Sequence, residues 1–176
     1  MITSTQPIGV FGGSSYAYIN ANTAPGNYIV EMLPPVLNWD DKFVKVRYRA
    51  AVDTMLNNFY DSYEDQLRII DANGNRTDNN LSGETTTVLE PGKPSLVALY
   101  KKGPGNPCKT LVPGLKQYLS AYTVLSFTEF EQHYMNIVAP TTAVGSILLD
   151  GVPIPAVSFA PVPQTKYSFA QISVSS

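Results

Sequence analysis

The chain is poor in the residues that staple, ligate and catalyse, with one cysteine, one histidine and one tryptophan in 176 residues. A lone cysteine, Cys108, excludes an internal disulfide and leaves either an unpaired thiol or a partner outside this chain. A lone histidine, His133, completes neither a zinc site nor a catalytic triad, and no motif joins it to Cys108. Charge is scarce as well. Charged residues make up 15% of the sequence, against roughly 25% in an ordinary soluble domain. A net charge of −2 provides no basic excess to displace counterions from phosphates, so no nucleic-acid partner is expected. No apolar run reaches the ~20 residues that cross a bilayer, and no basic-then-apolar signal segment opens the sequence. Membrane insertion is therefore not expected, and a secreted parent would make this chain a mature fragment lacking its signal segment.

Asn, Thr, Ser, Gly and Pro take the place of Lys and Glu, the composition of short strands joined by many turns. Period-2 alternation predicts strands at 7–12, 28–33, 43–50, 66–71, 85–89, 95–100, 122–127, 134–139, 146–149 and 167–174. In the third of these, Val44, Val46, Tyr48 and Ala50 share one face while Lys45, Arg47 and Arg49 share a face expected to be wet. The one helical candidate is 51–58. The expected fold is all-β, of sandwich or jelly-roll type, with a propeller- or barrel-like arrangement as the alternative.

Three blocks recur in the same order. Ile2 to Val10 matches Leu89 to Val97. Leu33-Pro34-Pro35-Val36-Leu37, followed by Phe43-Val44, matches Leu111 to Leu115, followed by Tyr122-Thr123. Ile69-Ile70 and Leu81-Ser82-Gly83 match Ile137-Val138 and Leu149-Asp150-Gly151. The offset shrinks and then recovers, as it does when loops change length and strands do not. Two tandem antiparallel units are expected, at 2–88 and 89–176.

These blocks also carry a family resemblance. Ile2-Thr3-Ser4-Thr5-Gln6-Pro7-Ile8-Gly9-Val10 resembles an "I-x-S-x-x-Pro-I-x-V" opening. Glu31-Met32-Leu33-Pro34-Pro35, with Trp39 and Phe43-Val44 after it, resembles an "E-x-L-P-P" segment before a Trp and a strand. Asn106-Pro107, followed by Leu111 to Tyr118, is similar to a "D-P" loop leading to a Pro and a Gln-aromatic pair. Asn136-Ile137-Val138, Leu148-Leu149-Asp150-Gly151 and Tyr167-Ser168-Phe169-Ala170 complete the order. Together they resemble the N-terminal domain of the IgGFc-binding protein family over nearly the whole chain. That domain runs on past the counterpart of Ser176, so the resemblance implies part of a domain. It also implies an extracellular or cell-surface protein of mucus, matrix or adhesive layers, with no catalytic residues to carry over. The single cysteine departs from the family's usual number.

Asp71-Ala72-Asn73-Gly74-Asn75 spaces oxygen ligands as a calcium loop does, making Asp71, Asn73 and Asn75 candidate metal ligands. The closing Glu is missing, however, and Asn73-Gly74 is also a strong hairpin signal. Asn75-Arg76-Thr77 and Asn80-Leu81-Ser82 are glycosylation acceptor triplets at Asn75 and Asn80. Asp53, Asp61, Glu64 and Asp65 form an acidic patch with Arg68, which reads as a solvated loop rather than an acid–base pair. Eleven tyrosines supply amphipathic, low-entropy contact area. Tyr16, Tyr18, Tyr60 and Tyr63, with Trp39 for stacking, are the candidate binding residues.

The expected function is a non-enzymatic adhesion or matrix-binding module without cofactor, recognising a protein or glycan through its surface. A self-assembling structural subunit of a virion or fibre, whose partner is another copy of itself, is one alternative. A carbohydrate-active enzyme using Glu64 or Asp65 is another.

Overall fold

The computed structural model describes residues 2–17, 27–46, 64–82, 85–101, 108–124 and 132–175. Strands β1 (Phe11–Ala17) and β2 (Asn27–Met32) form a two-stranded ribbon. A second pair joins β3 (Phe43–Lys45) to β6 (Thr87–Leu89). The largest sheet runs in the order β5 (Arg76–Ser82), β4 (Glu64–Asp71), β7 (Ser95–Lys101) and β8 (Cys108–Val112). Strand β9 (Gln132–Pro140) pairs along its length with β13 (Tyr167–Ser175), which β12 (Ala160–Pro161) flanks. A short hairpin joins β10 (Leu148–Leu149) to β11 (Val152–Pro153). Every pairing is antiparallel, so the all-β expectation holds, and none of the sheets closes into a barrel.

Alternation decides which face of the four-stranded sheet is buried. Leu67 and Ile69 of β4 lie opposite Leu99 and Val97 of β7, and together with Val112 and Leu81 they pack against Phe43 and Leu89. A second cluster gathers Val44, Val46 and Val162 with Val138, Tyr167 and Phe169. Strand β3 supplies both clusters, Phe43 to the first and Val44 to the second, because successive strand residues face opposite ways. Covering both faces overturns the wet face expected for Lys45, which is only 1% exposed. Its apolar stem is buried and its Nζ donates to the Thr85 carbonyl at 2.7 Å. Arg47 to Ala50 lie outside the described residues, as does the helical candidate at 51–58.

Further departures have local causes. Strand β1 begins at Phe11 and not at Pro7, since proline cannot donate to a ladder. The strand expected at 122–127 is not formed over 122–124, where the Tyr122 hydroxyl instead accepts from the Leu119 amide. Strand β5 has no apolar alternation because it is the solvent-facing edge of its sheet. Cys108 opens β8. The four-stranded sheet takes β4 and β5 from before residue 88 and β7 and β8 from after it, so both sequence repeats contribute to one sheet.

Candidate recognition surface

Two turns are clamped together at one end of the fold. The first is the 3-10 turn Val36–Asn38, closed by Trp39, whose Nε1 donates to the Pro34 carbonyl at 3.0 Å. The second is the 3-10 turn Leu115–Gln117. Asp40 joins them while only 1% exposed. Its Oδ2 accepts from the Lys116 amide at 2.6 Å, its Oδ1 accepts from the Asp41 amide at 2.7 Å, and the Lys116 ammonium lies 3.2 Å from Oδ1. Its carbonyl takes the Ser95 amide. Burial pushes the Asp40 carboxyl up, but these amide donors and Lys116 outweigh it and hold the group below the usual carboxylate range. Gln117 adds a cross-link, accepting from the Gly114 amide and donating to the Asn38 carbonyl, both within 2.9 Å. Glu31 ties the β1–β2 ribbon to the same region, accepting from the Leu111 amide at 2.8 Å and facing Lys109 Nζ at 3.3 Å.

Gly114 has to be glycine here. A Cβ at that position would overlap Asp40 Cβ and lie 3.0 Å from Oδ2. Gly114→Ala is therefore expected to cost about 2 kcal/mol through overpacking, read as a lower denaturant midpoint with an unchanged slope.

The clamp presents apolar side chains outward. Leu37 is 98% exposed at the tip of the first turn, and Leu119, Tyr122 and Val124 are exposed just after the second. The bond from Gln117 to Asn38 brings the two turns together, with exposed Leu37 next to Asn38 and exposed Leu119 two residues after Gln117. Fixed turns carrying exposed apolar groups form a preorganised contact site, because the loop ordering that binding would require is already done. The sequence offered no signal for Leu37 or Leu119 as contact residues.

The hairpin between β4 and β5 has a different logic. The Gly74 amide donates to the Asp71 carbonyl and the Asp71 amide to the Asn75 carbonyl, with Gly74 at φ +83°. This is a three-residue loop with glycine in the left-handed position, so the hairpin that Asn73-Gly74 signals forms with positive φ at Gly74 alone. Inside it the Asp71 carboxylate accepts from the amides of Asn73 and Asn75, from Asn75 Nδ2 at 2.9 Å and from Lys93 Nζ at 2.6 Å. Lys93 foremost, then Asn75, holds this carboxyl well below its usual range. Asp78 is held low in the same way by Arg76 and Arg68. Because these carboxylates are depressed in the folded state, the stability they contribute is fully present above their ordinary range and is lost as pH falls through the lowered values. The melting temperature is expected to hold above about pH 5 and to fall steadily below it. Millimolar calcium is expected to leave the melting temperature unchanged, since an ion at Asp71 would have to displace Lys93 and the hairpin amides.

On the outer face of the same sheet, the Arg68 guanidinium lies 4.9 Å from the Tyr100 ring centroid and donates from Nε to Asp78 Oδ1 at 3.0 Å. Arg76 pairs with the same carboxylate.

The other sequence candidates are scattered. Tyr16 lies in β1, away from Trp39 in the chain, while Tyr18, Tyr60 and Tyr63 fall outside the described residues with Asp53 and Asp61. Glu64 and Asp65 are consecutive positions of β4, opposite Ser82 and Leu81 of β5. His133 pairs with Val174 and Cys108 with Lys101 in their ladders. Asn80 sits exposed on the edge strand β5 opposite Gln66, and Asn75 is engaged with Asp71. Among the described residues no group of three or more His, Cys, Asp or Glu is placed to hold a metal ion.

Residues 1–176 match the family described as IgGFc binding protein. The chain belongs to the IgGFc-binding protein family. No curated protein and no solved structure matches it significantly. The family is one of binding domains, not of known enzymes, and is of the extracellular type. No helix among the described residues is long and apolar enough to cross a membrane. In this IgGFc-binding family chain the segments that resemble the family's motifs build the scaffold. Glu31, Pro34 and Trp39 from one segment, and Gly114 and Gln117 from another, make up the clamp with Asp40. The segment Leu148-Leu149-Asp150-Gly151 is a two-residue hairpin turn, with positive φ at both Asp150 and Gly151.

Proposed function

We propose that this chain is an extracellular adhesion or matrix-binding module that engages a protein ligand through the apolar crown of the clamp. The observation that supports it most is the near-complete exposure of Leu37 on a turn held by the Gln117 bond to Asn38 and flanked by the Trp39 bond to Pro34. Isolated exposed leucines are ordinary, but an apolar group held on a rigid turn is how interface anchors are presented. The family's description makes the Fc region of immunoglobulin G the first ligand to test. Immobilised Fc, a mucin and a collagen form a suitable panel for surface plasmon resonance. Saturable binding to at least one of them is expected, and flat responses on all three would count against the proposal.

A self-assembling subunit is the second reading. In the β1–β2 ribbon Phe11 lies opposite Met32 and Gly13 opposite Val30, so Phe11, Val30 and Met32 share one face, and all three are exposed. Apolar faces of this kind mark association sites. Sedimentation velocity across a concentration series separates the two readings: a single monomeric species favours adhesion, and concentration-dependent growth favours assembly.

A further inference from the structure

We propose that Asn73 is a site of spontaneous backbone modification, closing to a succinimide that opens to aspartate or isoaspartate. Asn73-Gly74 is the only Asn-Gly pair in the sequence, and the fold places it at the tip of the β4–β5 hairpin, where both residues are exposed. The Asn73 backbone amide is bonded to Asp71, but its carboxamide makes no hydrogen bond to the described residues. Nothing lies within 4 Å of where a Gly74 Cβ would stand, so the space around Gly74 is open at the turn.

The chemistry needs only water. The Gly74 amide nitrogen, on losing its proton, attacks Asn73 Cγ; the new N–C bond closes a five-membered ring and ammonia leaves with that proton. Water then adds to either ring carbonyl and breaks one of the two C–N bonds. Opening at the side-chain carbonyl gives aspartate in a normal backbone. Opening at the main-chain carbonyl gives isoaspartate, with the chain routed through the side chain and one carbon longer. No oxidation state changes.

The step is gated by the hairpin itself. Gly74 can attack only when its amide releases the Asp71 carbonyl, which it holds at 2.9 Å. Either product then places a new carboxylate next to the buried carboxylate of Asp71. The longer isoaspartyl backbone also cannot close the three-residue loop in the same way. Conversion therefore unlatches the start of edge strand β5, to an extent that grows with the age of the protein and without return once ammonia is lost.

The test is to hold the intact folded chain in mildly alkaline buffer and follow each asparagine by peptide mass spectrometry, with isoaspartate methyltransferase labelling as a second readout. Amide loss is expected at position 73 at a rate roughly tenfold or more above that at Asn136, a strand residue followed by a bulky neighbour. In Asn73→Gln the isoaspartate signal of the peptide that carries residue 73 is expected to vanish. Equal rates at Asn73 and Asn136, or a signal that persists in Asn73→Gln, would overturn the proposal.

Discussion

Replacing Phe43 by alanine is expected to destabilise the chain by about 4 kcal/mol, the upper range for truncating a buried aromatic. Phe43 fills the space between the four-stranded sheet and the β3–β6 pair, touching the cluster that holds Leu67, Val97, Leu99 and Val112. It also bridges Gly114 across the clamp. Because Val44 and Val46 of the same segment enter the second cluster, loosening β3 weakens both cores together. Urea unfolding should therefore show one transition at a much lower midpoint, not a new intermediate. Phe43→Leu keeps most of the volume and is expected to cost about 1.5 kcal/mol or less.

Asp40→Ala is expected to cost about 3 kcal/mol, because it strands the part-buried amides of Lys116 and Asp41 and removes the partner of the Lys116 ammonium. Asp40→Asn is the more revealing variant. Both carboxylate oxygens accept hydrogen bonds, so an amide in the same place satisfies one donor and turns its own N–H toward the other. Its loss is expected to approach that of alanine, although the side chain is nearly the same size. Lys116→Ala, by contrast, removes an ammonium that is mostly in water, and its effect is expected to stay below about 0.5 kcal/mol. Urea midpoints of the three variants, measured side by side, rank the buried hydrogen bonds against the exposed ion pair.

The strands that were legible in the sequence are those with one buried face. Leu67 and Ile69 in β4, and Val97 and Leu99 in β7, alternate with residues on the outer face, and both segments form strands within a residue or two of where alternation puts them. The hairpin at Asn73-Gly74 was legible too, although its turn type was not, because a single positive φ at Gly74 suffices once Asp71 bonds across to Asn75. Lys45 was misread because alternation reports the side of a strand and not whether that side is covered. Asp40 was invisible for a related reason. It sits in Trp39-Asp40-Asp41-Lys42, which has the look of a solvated turn, and the amide that buries it comes from Lys116, 76 residues away. The crown formed by Leu37 and Leu119 depends on the same long-range closure, so local patterning could not mark it as a surface.

Binding to immobilised immunoglobulin G Fc fragment, mucin and collagen, measured by surface plasmon resonance for the intact chain and for the double variant Leu37→Asp/Leu119→Asp, tests recognition through this crown most directly. Both positions are exposed, so the double variant should keep the melting temperature of the parent chain. Saturable binding by the parent and its loss in the folded double variant is the expected result. Equal binding by both proteins, or none by either, would contradict it.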